Sequence, residues 1–163
     1  MEQRELEQLQ AGDKVPNFKL LASNGQQVEL ADYAGKKVVL YFYPRDMTPG
    51  CTAESCDFRD FSGEFGLHNT EVLGVSPDDL ASHEQFVNAH ELPFLLLSDT
   101  EHTVSELFGV WKLRSRDGES FMGIERSTFL IDESGTLVKE WRSVNVDGHV
   151  KEVLEAVKGG RSE

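Results

Sequence analysis

Cys51 and Cys56 are the two cysteines of this sequence, and they are where it could do chemistry. Cys51 lies in Tyr43-Pro44-Arg45-Asp46-Met47-Thr48-Pro49-Gly50-Cys51, just after Lys37-Val38-Val39-Leu40-Tyr41-Phe42. That earlier run is apolar, β-branched and aromatic, and reads as a buried strand. After the cysteine, apolar residues return at helical spacing in Asp57-Phe58-Arg59-Asp60-Phe61. Thr is a favoured N-cap and Pro a favoured first helical residue, so Thr48 and Pro49 mark a helix start. Cys51 then falls in the first turn, where unpaired N–H groups and the helix dipole favour negative charge. Cysteines at such positions ionise readily, and the thiolate is the nucleophilic form. The spacing therefore builds an activated thiol. A merely packed cysteine would give the Thr48-Pro49-Gly50 turn no purpose.

Cys56 follows five residues on. In an intact helix that is about 7.5 Å of rise and roughly 140° of rotation. A disulfide needs Cα atoms within ~7 Å and converging side chains. The two sulfurs cannot bond while the helix is folded, so either Cys56 is simply buried or the helix unwinds when Cys51 is oxidised. A structural zinc or iron–sulfur site needs about four ligands. The five histidines, His68, His83, His90, His102 and His149, show no ligand-like spacing, so no metal or other cofactor is expected. Nor does any of them stand out as a base beside Cys51. A cation is the remaining means of holding a thiolate. Arg126, set just ahead of the apolar strand 127–131, is the candidate, with Arg45 beside Pro44 as a second. Glu54, one turn beyond Cys51, would oppose a thiolate unless it pairs with an arginine; otherwise it is a solvated helix residue.

The elements that must position these residues follow from periodicity. Runs 18–22 and 27–30 flank Asn24-Gly25, a strong hairpin signal. After a short link at 31–35 comes the strand 37–43, then the helix opened at Pro49, expected to reach Ser62 or Phe65. A second buried strand covers 70–76. Ser76-Pro77-Asp78-Asp79 then offers caps for a helix over 78–90, with Leu80, Phe86 and Val87 turned inward. A strand at 94–99, a short helix at 103–108, a hairpin of 127–132 with 136–141 about Glu133-Ser134-Gly135, and a helix over about 147–158 complete the chain. This order predicts one α/β domain over residues 12–160 behind a loose extension at 1–11, with a mixed sheet covered by helices on both faces, of thioredoxin-like type.

Composition agrees with an ordinary globular chain, at 39% hydrophobic residues over 163. A net charge of −13 argues against nucleic acid or an anionic membrane as partner. No apolar run approaches the ~20 residues of a membrane span. The first residues show no secretory pattern, and a cytoplasmic setting is expected.

Pro44-x-x-x-Thr48-x-x-Cys51 resembles the active-site signature of the peroxiredoxins. The string from Tyr41 to Cys56, the stretch Gly123 to Asp132 and the pair Gly148-His149 resemble the Q-type, or bacterioferritin-comigratory, branch of that family. The likeness spans roughly residues 10–158. It implies a thioredoxin-fold thiol peroxidase acting on hydrogen peroxide or alkyl hydroperoxides, without cofactor, as a monomer. It also implies the roles: Cys51 peroxidatic, Cys56 resolving through an intramolecular disulfide, Thr48 binding the peroxide, Pro44 shielding the site and Arg126 holding the thiolate. Thioredoxin is the reductant the family suggests. A redox sensor or holdase is the alternative from another class. A thioredoxin-type oxidoreductase is disfavoured because Cys-x-x-Cys is absent.

Overall fold

Apolar side chains on successive residues of the run 37–43 require cover on both sides, because neighbouring residues of a strand point to opposite faces. In the computed structural model, which describes residues 9–159, this run forms strand β3 (Lys37–Phe42). Val38, Leu40 and Phe42 enter one core, while Val39, Tyr41 and the following Tyr43 enter another. Before β3 come β1 (Lys19–Ala22), β2 (Gln27–Glu29) and a 3-10 turn at Leu30–Tyr33. After it come α1 (Pro49–Asp60), α2 (Ser62–Leu67), β4 (Thr70–Ser76), α3 (Leu80–His90) and β5 (Leu95–Ser98). The chain continues through α4 (Thr103–Leu107), β6 (Trp111–Arg116), β7 (Glu119–Ile124), β8 (Ser127–Ile131), β9 (Leu137–Arg142) and α5 (His149–Gly159).

Seven strands form one sheet in the order β2-β1-β5-β4-β3-β8-β9, and β6 pairs only with β7. β3, β4 and β5 run parallel, and their remaining neighbours are antiparallel. Parallel neighbours require a crossover connection. Here α1 with α2 joins β3 to β4, and α3 joins β4 to β5. Phe58, Phe65, Phe86 and Val153 bring α1, α2, α3 and α5 to one face of the sheet, while Val104 of α4 and the following Phe108 cover the other. The mixed sheet with helices on both faces is thus the architecture the sequence predicts. Tyr41 joins β3 to α1: its ring stacks on Phe58 at 4.5 Å and its hydroxyl lies 2.7 Å from Ser55 Oγ. Gly74 of β4 makes room for that ring, since a Cβ there would come within 2.8 Å of Tyr41 Cζ and of Leu96 Cδ2.

Several boundaries differ from expectation. The helix opened at Pro49 stops at Asp60, and Phe61 (φ −104°, ψ 8°) separates it from α2. Ser62, Gly63 and Gly66 are weak helix formers, and the break lets Phe58 and Phe65 reach the same core. α3 starts at Leu80 because Asp79 is its N-cap, accepting from Ser82 N–H at 2.9 Å. Its inward stripe holds Phe86, with Val87 partly buried as expected, but Leu80 is only half-buried and the fully buried His83 takes a place beside them. The hairpin β6–β7 has no counterpart in the sequence reading. Of the expected extension at 1–11, residues 1–8 lie outside the described residues; Leu9 packs against the first core, and Ala11 N–H donates to Glu140 of β9.

Candidate active site

Cys51 sits in the first turn of α1, at the C-terminal end of the parallel strand β3, where open α/β sheets form their clefts. Thr48 holds the N-cap position, but its hydroxyl donates to the carbonyl of Arg45 at 2.9 Å and accepts from none of the helix N–H groups. The first turn of α1 therefore has no side-chain cap, and its N–H groups and dipole act on whatever charge the thiol develops. Cys51 is only 1% exposed, at the floor of a cleft of about 560 Å³.

Arg126 reaches this floor from the residue before β8. Its Nη2 donates to Cys51 Sγ at 3.4 Å, and its Nη1 donates to Glu54 Oε1 at 2.7 Å. Although burial works against its charge, Glu54 and Cys51 hold the guanidinium above its ordinary range. Glu54 is fully buried, and burial pushes its carboxyl up to about 7 against the opposing pull of Arg126. Its Oε2 has no hydrogen-bond partner among the described residues. The expected choice for Glu54, solvated or paired, falls to pairing: it points one donor of the arginine away from the sulfur and leaves the other on it. Gly50 permits the approach, since a Cβ there would lie 3.2 Å from Arg126 Nη2. His149, at the start of α5, accepts or donates at 2.8 Å to Thr128 Oγ1 on β8. Burial lowers its imidazole to about 4, so it stands neutral at pH 7 behind the arginine.

The loop between β3 and α1 is pinned from below. Asp46 is 5% exposed; its Oδ1 accepts from Tyr43 Oη at 2.6 Å, and its Oδ2 accepts from Ser82 Oγ at 2.8 Å. His83 Nδ1 lies 2.7 Å from the same Oδ2, and His83 Nε2 lies 3.0 Å from the carbonyl of Leu97. Asp46 N–H donates to Asp78 Oδ2 at 2.7 Å. Asp46, Asp78 and His83 have ligand atoms within 4.8 Å of one another, yet those atoms already satisfy each other and the loop. They act here as a scaffold that fixes Pro44 and Thr48, rather than as an open metal site. Held this tightly, Met47 adopts a left-handed backbone (φ 69°).

Pro44, Arg45, Thr48, Cys51 and Arg126 all line the one cleft. The hairpin β6–β7 supplies its opposite wall through Trp111, Arg114, Arg116, Phe121 and Met122. Among the described residues no acidic side chain lines it, although the chain carries a net charge of −13. Cys56 is elsewhere. Its sulfur lies 3.8 Å from His90 Nδ1 of α3, and both cysteines are free thiols. The helical spacing keeps the sulfurs apart, as the sequence geometry requires.

Residues 11–140 match the sequence pattern of the AhpC/TSA family. The chain belongs to that family. Within it, the likeness runs to the Bcp, or Q-type, peroxiredoxins. The chain is 53% identical over 150 residues to "Peroxiredoxin Bcp" of Bacillus subtilis, covering 92% of this chain and 96% of that protein. It is 41% identical over 150 residues to "Peroxiredoxin Bcp" of Escherichia coli, with 92% and 96% covered. Among solved structures, PrxQ of Xylella fastidiosa superposes with a TM-score of 0.90 at 37% identity, covering 94% of this chain and 98% of that one. The bacterioferritin comigratory protein of Xanthomonas campestris, whose structure concerns alkyl peroxide reduction, superposes with a TM-score of 0.84 at 40% identity, covering 88% and 91%. The fold is accordingly the thioredoxin-like one, and a peroxiredoxin is a thiol peroxidase. For this peroxiredoxin the sequence reading missed two supports of the site. The Asp46–His83 pair leaves no local signal. The hairpin wall left one, the Asp117-Gly118 turn, whose residues have φ 53° and 81°. Among the described residues no helix is long and apolar enough to cross a membrane.

Proposed function

We propose that this peroxiredoxin reduces hydrogen peroxide and alkyl hydroperoxides through Cys51, resolves the product with Cys56 in an intramolecular disulfide, and is recycled by thioredoxin or a similar dithiol. The contact of Arg126 with Cys51 at 3.4 Å carries the reading, since it puts a fixed cation on the one thiol at the cleft floor. The Cys51 thiolate attacks one peroxide oxygen, the O–O bond breaks, and the departing oxygen takes a proton to leave as water or alcohol. As negative charge passes from sulfur to that oxygen, the other N–H of Nη2 can follow it while Nη1 stays on Glu54. Thr48, lining the same cleft, offers a hydroxyl to the peroxide, and Pro44 limits water at its mouth. Cys51 is left as a sulfenic acid. For Cys56 to reach it, the first turns of α1 must open; Cys56 then displaces water from the sulfenic sulfur and closes the disulfide. The cycle needs no second copy of the chain, in keeping with a monomer. It suits a reducing compartment such as the cytoplasm.

The test combines turnover with mass. With thioredoxin, its reductase and NADPH, peroxide should be consumed through many cycles, and peroxide-treated protein should show a Cys51–Cys56 disulfide on peptide mapping. A single stoichiometric oxidation without turnover would favour a redox sensor or holdase. A predominantly intermolecular disulfide would defeat the proposed route.

A further inference from the structure

Cys56 has surroundings of its own. Its sulfur lies 3.8 Å from Nδ1 of His90, at the end of α3. The guanidinium of Arg59, one turn further along α1, is held by two anchors: Nε donates to Asp60 Oδ1 at 3.0 Å, and Nη1 donates to the carbonyl of His90 at 2.9 Å. That guanidinium is raised above its ordinary range, chiefly by its hydrogen bond to Asp60. The ring of Phe86 packs edge-on against His90 at 5.4 Å and fixes its plane. Among the described residues, the titratable or charged side chains near Cys56 are His90 from α3 and Arg59 from α1, with Asp60 and Glu91 facing the arginine. A thiol within reach of an imidazole nitrogen is an arrangement in which a base can take its proton. Nothing in the attack of Cys51 on peroxide uses it.

We propose that His90 is the base for Cys56, taking its proton in the folded protein so that the resolving sulfur enters the second step as a thiolate. The assignment rests on the resolving role given to Cys56 above. Cys56 has by then given its proton to His90 Nδ1, and in that step its sulfur lone pair forms the S–S bond with Cys51. The S–O bond of the sulfenic acid breaks, and the departing hydroxide takes up one proton to leave as water. Cys51 sulfur is reduced from the sulfenic level to the disulfide level, and Cys56 sulfur is oxidised to it. Both Cys56 and His90 are half-buried rather than sealed, so the proton held by the imidazole can return to solvent.

Cys51→Ser leaves Cys56 as the only thiol, so its alkylation by iodoacetamide reads its reactivity without any unwinding. The rate is measured from pH 6 to pH 9.5 in Cys51→Ser and in Cys51→Ser with His90→Asn, with circular dichroism to verify the fold. An ordinary thiol is only a few per cent ionised at pH 7, so a base partner raises the thiolate many-fold, but nucleophilicity falls as basicity falls. The net expectation is that His90→Asn is roughly three- to fivefold slower at pH 7 and as fast or faster at pH 9.5. Crossing profiles are the signature of a lost base. Parallel profiles, or no difference at pH 7, overturn the assignment. Peptide mapping of the peroxide-treated wild type separates the two levels. If no Cys51–Cys56 disulfide forms, the resolving role falls and the assignment with it. If the disulfide forms while the alkylation profiles stay parallel, only the role of His90 falls.

Discussion

Glu54 is the buried acid on which the arrangement of Arg126 depends, and it makes a measurable demand on stability. Its carboxyl is raised from 4.5 to about 7, first by burial, with Arg126 pulling it back. The folded protein therefore holds this proton more tightly than the unfolded chain does. A group raised in this way contributes stability that is full below about pH 4.5 and lost as the pH climbs through 7. With one proton at stake and ~1.4 kcal/mol per pH unit, the loss between pH 5 and pH 8 comes to about 2–3 kcal/mol. Glu54→Gln keeps the shape and an acceptor for Arg126 Nη1 but cannot ionise. At pH 5, where Glu54 is protonated, the variant and the wild type should be equally stable within about 1 kcal/mol. At pH 8 the variant should be the more stable by about 2–3 kcal/mol, or roughly 5–10 °C in melting temperature for a chain of this size. Urea unfolding at intervals from pH 5 to pH 8 on both proteins measures the difference, and all other titrating groups cancel in it. Curves that run parallel across this range would show that Glu54 ionises at an ordinary carboxylate pH, and that Arg126 compensates its burial in full.

Two further substitutions test how the guanidinium is aimed. Arg126→Lys retains the charge, but one compact ammonium cannot occupy both the Nη2 position on Cys51 and the Nη1 position on Glu54. Stopped-flow oxidation of Cys51 by peroxide should slow on the order of 10²–10³-fold in a folded variant, and a loss under about threefold would mean that charge alone suffices. Gly50→Ala sets a Cβ 3.2 Å from the same Nη2, while removing a poor helix former from α1, a gain of up to ~1 kcal/mol. Peroxide reactivity should fall severalfold while the melting temperature holds or rises; a joint loss of both would point to a distorted helix instead.

What could be read from the sequence, and what could not, divides by how far apart the interacting residues lie along the chain. The start of α1 is written locally in Thr48-Pro49-Gly50, and β3 in a single apolar run, so both were legible, together with the place of Cys51 between them. Arg126 was visible as a charge set against an apolar strand. The pairing of Glu54 with Arg126 spans 72 positions, and that of His83 with Asp46 spans 37. A helical Glu carries no mark of whether β8 will cover it. The hairpin β6–β7 escaped for another reason: most of its residues are exposed on both faces, so the alternation of buried and exposed residues that reveals a strand is missing.

The packing of α1 joins these observations to the chemistry. Cys51, Glu54, Ser55 and Phe58 are its buried residues, and only Phe58 is a large apolar one. Much of the rest of its attachment is polar, including Arg126 to Glu54 and Cys51, Tyr41 to Ser55, His90 to Cys56, and Arg59 to the carbonyl of His90. Apolar area once exposed is lost in full to water, whereas a polar contact is largely replaced by hydrogen bonds to solvent, so its net worth is near 1 kcal/mol. A helix attached in this way is well placed while folded, which the alignment of Arg126 on Cys51 requires, yet its first turns can open at modest cost. On the proposed route, the polar contacts that aim the cation at the thiol are therefore of the kind that can release the helix for Cys56 to reach Cys51.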